Sequence, residues 1–332
     1  MGAVTLVPLL VVSSLPATAA PAAAAPAAAS PTAASPTAAS PTAASRLSVA
    51  VPARGGSFSP LDFPGAAHTW PEGVTDSGVV FGQFETAGGR YEGFVLRRGR
   101  WRVVNDPAAS WNLVVGVLPS GVVVGDELTG STMRGFEERR GRFVPVRDPR
   151  ETKAPTVLGY GGTSIGAAGE DGLLVGSFAE GTVTRAFVFD RGRFSTVSYP
   201  GRLGRSFTEL TGTDSSGDLL VGLASDGERW QAFVLRHGRF EARNAPSQPH
   251  TTGAETVLNG VSPDGEEIAG AWTTSQFGGV EHGFVIVKGR FVGLSDPEGT
   301  FGTEPTGVND RGVVVGYVLT ASGASGFMFR PA

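Results

Sequence analysis

Gly307-Val308-Asn309-Asp310-Arg311-Gly312-Val313-Val314-Val315-Gly316 reads as a tight reversal followed by a short strand. Asn, Asp and Gly tolerate the positive φ such a turn needs, and a β-branched run suits a pleated, half-buried surface. The pair that closes the run recurs as Val-Gly, Phe-Gly or Ala-Gly at Gly82, Gly125, Gly176, Gly222, Gly270 and Gly316, at intervals of 43, 51, 46, 48 and 46 residues. A second marker, Gly or Ala followed by Phe, falls at Phe94, Phe136, Phe187, Phe233, Phe284 and Phe327. A third, Gly-Arg-Phe or Gly-Arg-Trp, begins at Gly99, Gly141, Gly192, Gly238 and Gly289. Their constant order marks an internal repeat.

Each unit reads as four short strands: one ending in the Asn/Asp/Gly turn, the β-branched strand, the strand around the second marker, and one entered through a basic turn. Four strands in roughly 46 residues is the size of a propeller blade. The sixth unit stops at Arg330 before any fourth strand, while Gly56 to Gly65 carries the fourth-strand pattern without the preceding three. The expected fold is therefore all-β: a six-bladed β-propeller of four-stranded antiparallel blades, closed by an N-terminal strand joining the last blade. Closure removes exposed sheet edges. The 49 Gly and 23 Pro agree with a turn-rich chain and argue against helices. Ordering a residue costs about 1–2 kcal/mol, so no unit should bury enough apolar surface to fold alone.

Val4 to Leu15 is an apolar run too short to span a bilayer, and Ala17-Thr18-Ala19 has the small residues a signal peptidase accepts. No Lys or Arg precedes Arg46, so the expected basic leader is missing. Residues 1–19 are read as a signal peptide and 20–45, almost wholly Ala, Pro, Ser and Thr, as a disordered linker. Residues 46–332 form the repeat domain. The mature chain is expected to be secreted, with no transmembrane segment. The 332 residues include no Cys, which excludes disulfides, thiolate metal sites and a Cys nucleophile.

These stretches resemble the bacterial extracellular HAF-repeat proteins: Asp62-Phe63-Pro64-Gly65, Gly307-Val308-Asn309, Val315-Gly316 and His282-Gly283-Phe284 match that family's unit. The family's His stands in one copy; Glu92, Arg134, Arg185, Gln231 and Ser325 hold the equivalent places. The resemblance implies secretion and a propeller-like fold, and transfers no catalytic residue.

The four His residues lie in different units without metal spacing, and no nucleophile elbow, P-loop or dinucleotide fingerprint is supported. The Asp-rich turns supply too few oxygens each for calcium, and Asp, Asn and Gly are what the turns themselves need. No metal or cofactor is expected. Thirteen of the 27 Lys and Arg, among them Arg98, Arg100, Arg140, Arg142, Arg193, Arg239 and Arg290, crowd into five basic turns. In a four-stranded meander these turns share one face with the acidic ones, as an outer circle able to dock an anionic polymer. The irregular loops share the opposite face, where Trp111, Tyr160, Trp230 and His250 are candidate ligand-stacking residues.

The leading expectation is a non-enzymatic binding or scaffold protein for a cell-wall or other extracellular polymer or protein, with the ligand unidentified. A net charge of −4 is small for this length and by itself neither selects nor excludes nucleic acid, which is not the expected partner. The rival is a polysaccharide hydrolase or lyase using acids around the axis, for which Glu209, Glu255 and Glu304, expected just before first strands at the loop-face rim, are the carboxylates to mutate.

Overall fold

The structure is a computed structural model, which describes residues 53–156, 158–246, 255–273 and 280–332. The expected signal peptide and linker lie outside these residues. After β1 (Gly56–Pro60), antiparallel meanders follow one another along the chain. They are β2 (Ala66–Val74), β3 (Val80–Thr86), β4 (Tyr91–Arg97) and β5 (Arg100–Val104); β6 (Trp111–Val117), β7 (Val123–Thr129), β8 (Thr132–Arg139) and β9 (Arg142–Val146); and β10 (Gly161–Ala168), β11 (Leu174–Glu180), β12 (Val183–Asp190) and β13 (Arg193–Val197). Then come β14 (Phe207–Thr213), β15 (Leu219–Ser225), β16 (Trp230–Arg236) and β17 (Arg239–Ala242); β18 (Glu255–Val261), β19 (Glu267–Thr273), β20 (Glu281–Val287) and β21 (Arg290–Gly293); and β22 (Gly302–Val308), β23 (Val314–Thr320) and β24 (Gly323–Pro331). The architecture is all-β and of propeller type. Hydrogen bonding gathers the strands into two open sheets, within which the start of a third strand bridges in parallel to the start of the next first strand, as at Tyr91↔Trp111 and Glu281↔Gly302.

β1 pairs antiparallel with β24 along its whole length, Phe58 opposite Phe329 and Pro60 opposite Phe327. Leu61 N–H donates to the Gly326 carbonyl (2.9 Å) and Gly326 N–H to Asp62 Oδ1 (2.8 Å). Farther out, Arg54 makes a bidentate pair with Glu267 at 2.8 and 3.0 Å. First strands also meet sideways. Thr211 Oγ1 donates to Leu258 O (2.5 Å), and Asn259 Nδ2 to Pro305 O (3.0 Å). The same kind of contact joins the first meander to the last strands: Thr306 Oγ1 donates to Pro71 O (2.6 Å), and Asp310 N–H to Asp76 Oδ1 (2.9 Å).

The three sequence markers meet in space. Each first strand carries a β-bulge two residues wide, as between Leu210 and Gly212, and the partner strand places its marker Gly opposite. A Cβ on Gly222 would lie 2.0 Å from the Glu209 carbonyl oxygen, so no side chain fits. The marker Phe is the cross-strand partner of that Gly, as Phe233 of Gly222 and Phe136 of Gly125, and it packs over the bare backbone. The third marker closes the cluster edge-on, with ring centroids of Phe136 and Phe143 4.9 Å apart and those of Phe233 and Phe240 5.2 Å apart. In the last unit the equivalent ring is Phe58 of β1, T-shaped on Phe327 at 5.3 Å. The marker Phe rings Phe94, Phe136, Phe187, Phe233, Phe284 and Phe327 are all 0–1% exposed.

A further repeat feature escapes the markers. Thr69, Asn112, Thr163, Thr208, Thr256 and Thr303, early in successive first strands, each accept a backbone N–H from the preceding connection, at 2.9–3.4 Å. These bonds satisfy loop donors that the sheets leave unpaired and set where each unit begins.

Candidate functional site

The bulge turns one residue per first strand out of the ladder: Glu72, Val115, Gly166, Thr211, Asn259 and Thr306. All of these residues line both of two adjoining cavities, of about 80 and 100 Å³. Residues from β2, β6, β10, β14, β18 and β22 therefore surround one central space. Side chains placed just after the marker Gly of second strands, Asp126 and Tyr317, reach into the smaller cavity with Glu209 and Glu304.

Carboxyl groups crowd this chamber. Asp126 accepts from Ser164 Oγ (2.6 Å) and from Ile165 N–H (2.9 Å), yet burial outweighs these bonds and raises its pKa to about 8. Glu209 is pushed up to about 7 by burial, partly offset by the Ser177 hydroxyl 3.3 Å away. Glu72, raised to about 8 by burial and then by the Glu304 charge, is only half-buried, so water in the channel moderates the cost of ionising it. Glu304 accepts hydrogen bonds from Tyr317 and Asn259 and shares a proton-linked contact with Glu281; burial raises both, Glu281 to about 10. Burial thus shifts all of these groups toward their protonated form. They form a hydrogen-bonding wall, with room for about three waters per cavity at ~30 Å³ each. Among the described residues no three His, Asp or Glu side chains converge as a metal ion requires.

Two expectations about the acids need correction. Glu209 and Glu304 do not precede their first strands at a rim. They are the third residues of β14 and β22, 2% and 3% exposed, because those strands begin earlier, at Phe207 and Gly302. Glu255 opens β18, and its side chain lies outside the described residues. Glu72, Asp126, Glu281 and Tyr317 went unread because other units hold Val115, Ser177, Met133 or other unlike residues at such places. For Glu72, Asp126 and Tyr317 the register at the bulge or beside the marker Gly was the available signal.

Of the loop-face aromatics, Trp111 is 1% and Tyr160 6% exposed, both within the main apolar core. Trp230 is half-buried and T-shaped on Phe207 at 5.0 Å. Stacking on a ligand needs an open ring face, which Trp111 and Tyr160 lack. His250 lies outside the described residues.

The basic turns differ in every respect. Arg98, Arg140, Arg191, His237 and Lys288 adopt φ of 48–54°, each followed by a Gly of φ 73–83°, the signature of a type I′ hairpin turn. Asn or Asp is the usual first residue there; a long basic side chain at positive φ is uncommon. Arg98, Arg100, Arg140, Arg142, Arg193, Arg239 and Arg290 are all exposed and form no ion pair among the described residues. Acidic and basic turns share a face, since Asp76, Glu170, Arg97 and Arg98 line one cavity of about 590 Å³.

No family model and no curated protein matches the chain in sequence. Solved structures do resemble it. AofleA from Arthrobotrys oligospora aligns at 11% identity over 84% of this chain and 87% of its own, with a TM-score of 0.50. TolB from Acinetobacter baumannii aligns at 11% identity over 77% of this chain and 64% of its own, TM-score 0.48. A Xanthomonas campestris gluconolactonase aligns at 13% identity over 86% and 99%, TM-score 0.47. At such identities the likeness concerns the fold alone. No helix among the described residues is long and apolar enough to cross a membrane.

Proposed function

We propose that this chain is a secreted, non-enzymatic binding or scaffold module of the HAF-repeat kind, built as a closed six-bladed β-propeller. The observation that carries the non-enzymatic reading is the size of the axial chamber. Its carboxyl groups are tuned as a hydrolase's would be, but cavities of about 80 and 100 Å³ fall well short of the ~300–1,000 Å³ of ordinary ligand sites. A sugar ring does not fit beside Glu209. Closure is supported by the pairing of β1 with β24 and by the Thr306–Pro71 and Asp310–Asp76 hydrogen bonds, which repeat between the ends the contacts found between consecutive units. The exposed basic turns, seven of whose arginines form no ion pair among the described residues, make their face a better recognition surface than the buried aromatics make the other.

The rival hydrolase reading draws on Glu209, whose carboxyl is raised to about 7 as a general acid requires. Incubating the protein with plant and cell-wall polysaccharides, with Glu209→Gln and Glu304→Gln in parallel, separates the two. We expect saturable retention on a polymer with no release of reducing ends. Cleavage that disappears in either variant would establish the hydrolase instead.

A further inference from the structure

Functional sites in a repeat protein are found where the repeat is broken, and the basic circle is broken at one place. On one face of the first unit's outer hairpin, β4 and β5 set Arg97 directly opposite Arg100 and Val95 opposite Arg102. Three arginines thus share a face with no carboxylate of their own hairpin. The equivalent positions elsewhere are diluted: Glu137 with Arg139, Arg142 and Val144; Asp190 with Arg193 and Ser195; Arg236 and Arg239 with Glu241; Val287 with Arg290 and Val292.

The second unit answers this face with a second break. Glu138 is 3% exposed, at a register where Leu96, Phe189, Leu235 and Ile286 stand in other units. It accepts from Arg102 Nη1 at 3.0 Å and from the Gly141 N–H of the next basic turn. A buried carboxylate in an apolar register is costly unless it holds something in place. Here it fixes Arg102 and the turn bearing Arg140 across a groove of about 740 Å³. The groove floor is apolar, from Val95, Val117 and Val123, and its rim carries Arg97, Arg98, Arg100 and Arg140. The arrangement also opposes stability: Arg97 faces Arg100 as a like-charge cross-strand pair, and Arg98 sits at φ 51°.

We infer that this groove, between the first and second units, binds a chain of acidic polysaccharide, its carboxylate or sulfate groups held by Arg97, Arg100 and Arg140. The inference rests on the binding-module reading above and names its ligand. Planar guanidinium forks match such anions bidentately. A thin chain is favoured over a duplex or a bilayer because the neighbouring cavity, which shares Arg97 and Arg98, also carries Asp76 and Glu170. A broad anionic surface would be pressed against those carboxylates. Trp101 also lines the groove, but its ring is engaged edge-on by Phe63 and Phe94, with centroids 5.2 and 4.9 Å away.

The test is titration of the full chain with polygalacturonate and dextran sulfate at low and high salt, with neutral dextran, duplex DNA and anionic phospholipid vesicles as comparisons. Binding to an acidic polysaccharide that weakens with salt is expected. Arg97→Ala/Arg100→Ala should lower affinity at least ~10-fold without lowering the melting temperature, since it removes a repulsion. Arg236→Ala/Arg239→Ala, the like pair in another unit of the same face, should lower affinity by a clearly smaller factor. Equal loss in both variants would overturn the groove in favour of the whole circle. Equal or tighter binding of DNA or vesicles would overturn the ligand class. Retention on neutral polymers or proteins alone would overturn this inference while leaving the binding module intact, whereas polymer cleavage lost in Glu209→Gln would remove the module reading itself.

Discussion

At the scale of single residues, the axial acids are the part of the molecule most sensitive to pH. Glu209 titrates near 7 in the folded chain against an ordinary 4.5, and Glu72 and Asp126 are raised to about 8. A raised carboxyl means the folded state binds more protons than the unfolded one between those values, so stability is fully present at acid pH and is lost as pH rises through the folded pKa. The melting temperature should accordingly fall from pH 5 to pH 9. Glu209→Gln, which keeps the shape and an acceptor for Ser177 but never ionises, should flatten the part of that fall between pH 5 and pH 7, leave the part above pH 7 to Glu72 and Asp126, and change little at pH 5. A melting temperature that climbs over this range would mean the chamber stabilises the charged form.

At the scale of the strand pair, bulge, marker Gly and two stacked rings act as one device. Replacing Gly222 by Ala would drive a methyl into the Glu209 carbonyl 2.0 Å away and into the Phe233 ring at 2.9 Å, where neither backbone nor buried ring can yield cheaply. We expect a loss of roughly 3 kcal/mol or more, in the range of severe core overpacking, read from denaturant midpoints at unchanged m-value. Gly181→Ala makes a useful contrast: it removes a φ of 64° from an open turn with nothing near its Cβ, and should cost only about 1 kcal/mol. Equal costs at the two positions would show that backbone conformation, and not the bulge carbonyl, governs the marker.

At the scale of the whole molecule, β1 supplies what the last unit lacks: the strand partner of β24 and, in Phe58, the ring that meets Phe327. If the units form a closed ring, removing residues through Leu61 destabilises every unit. A single thermal transition should then move down by about five degrees, as about 3 kcal/mol does in a domain of this size, with the protease sites of all units opening together. Fraying confined to Gly302–Pro331, with the other meanders unaffected, would indicate an open array instead.

The repeat, its strand count and the pairing of the first strand with the last were legible in the residues because they depend on local pattern: β-branched runs, turn residues, and markers whose spacing persists whatever surrounds them. The fold class follows from that periodicity. The basic turns were legible for the same reason, each lying within a few residues of the next. Tertiary structure alone decided which side chains meet. Glu72, Asp126, Glu209 and Glu304 come from strands far apart in the chain and share a chamber only because first and second strands of different units converge on one centre. Trp111 and Tyr160, aromatic residues beside irregular loops, turned out to be core because the next unit covers them. Glu138 looks like one more charge in a basic turn until the fold places it beneath Arg102. Periodic burial is written along the chain, whereas convergence across units is a property of how the sheets are arranged in space.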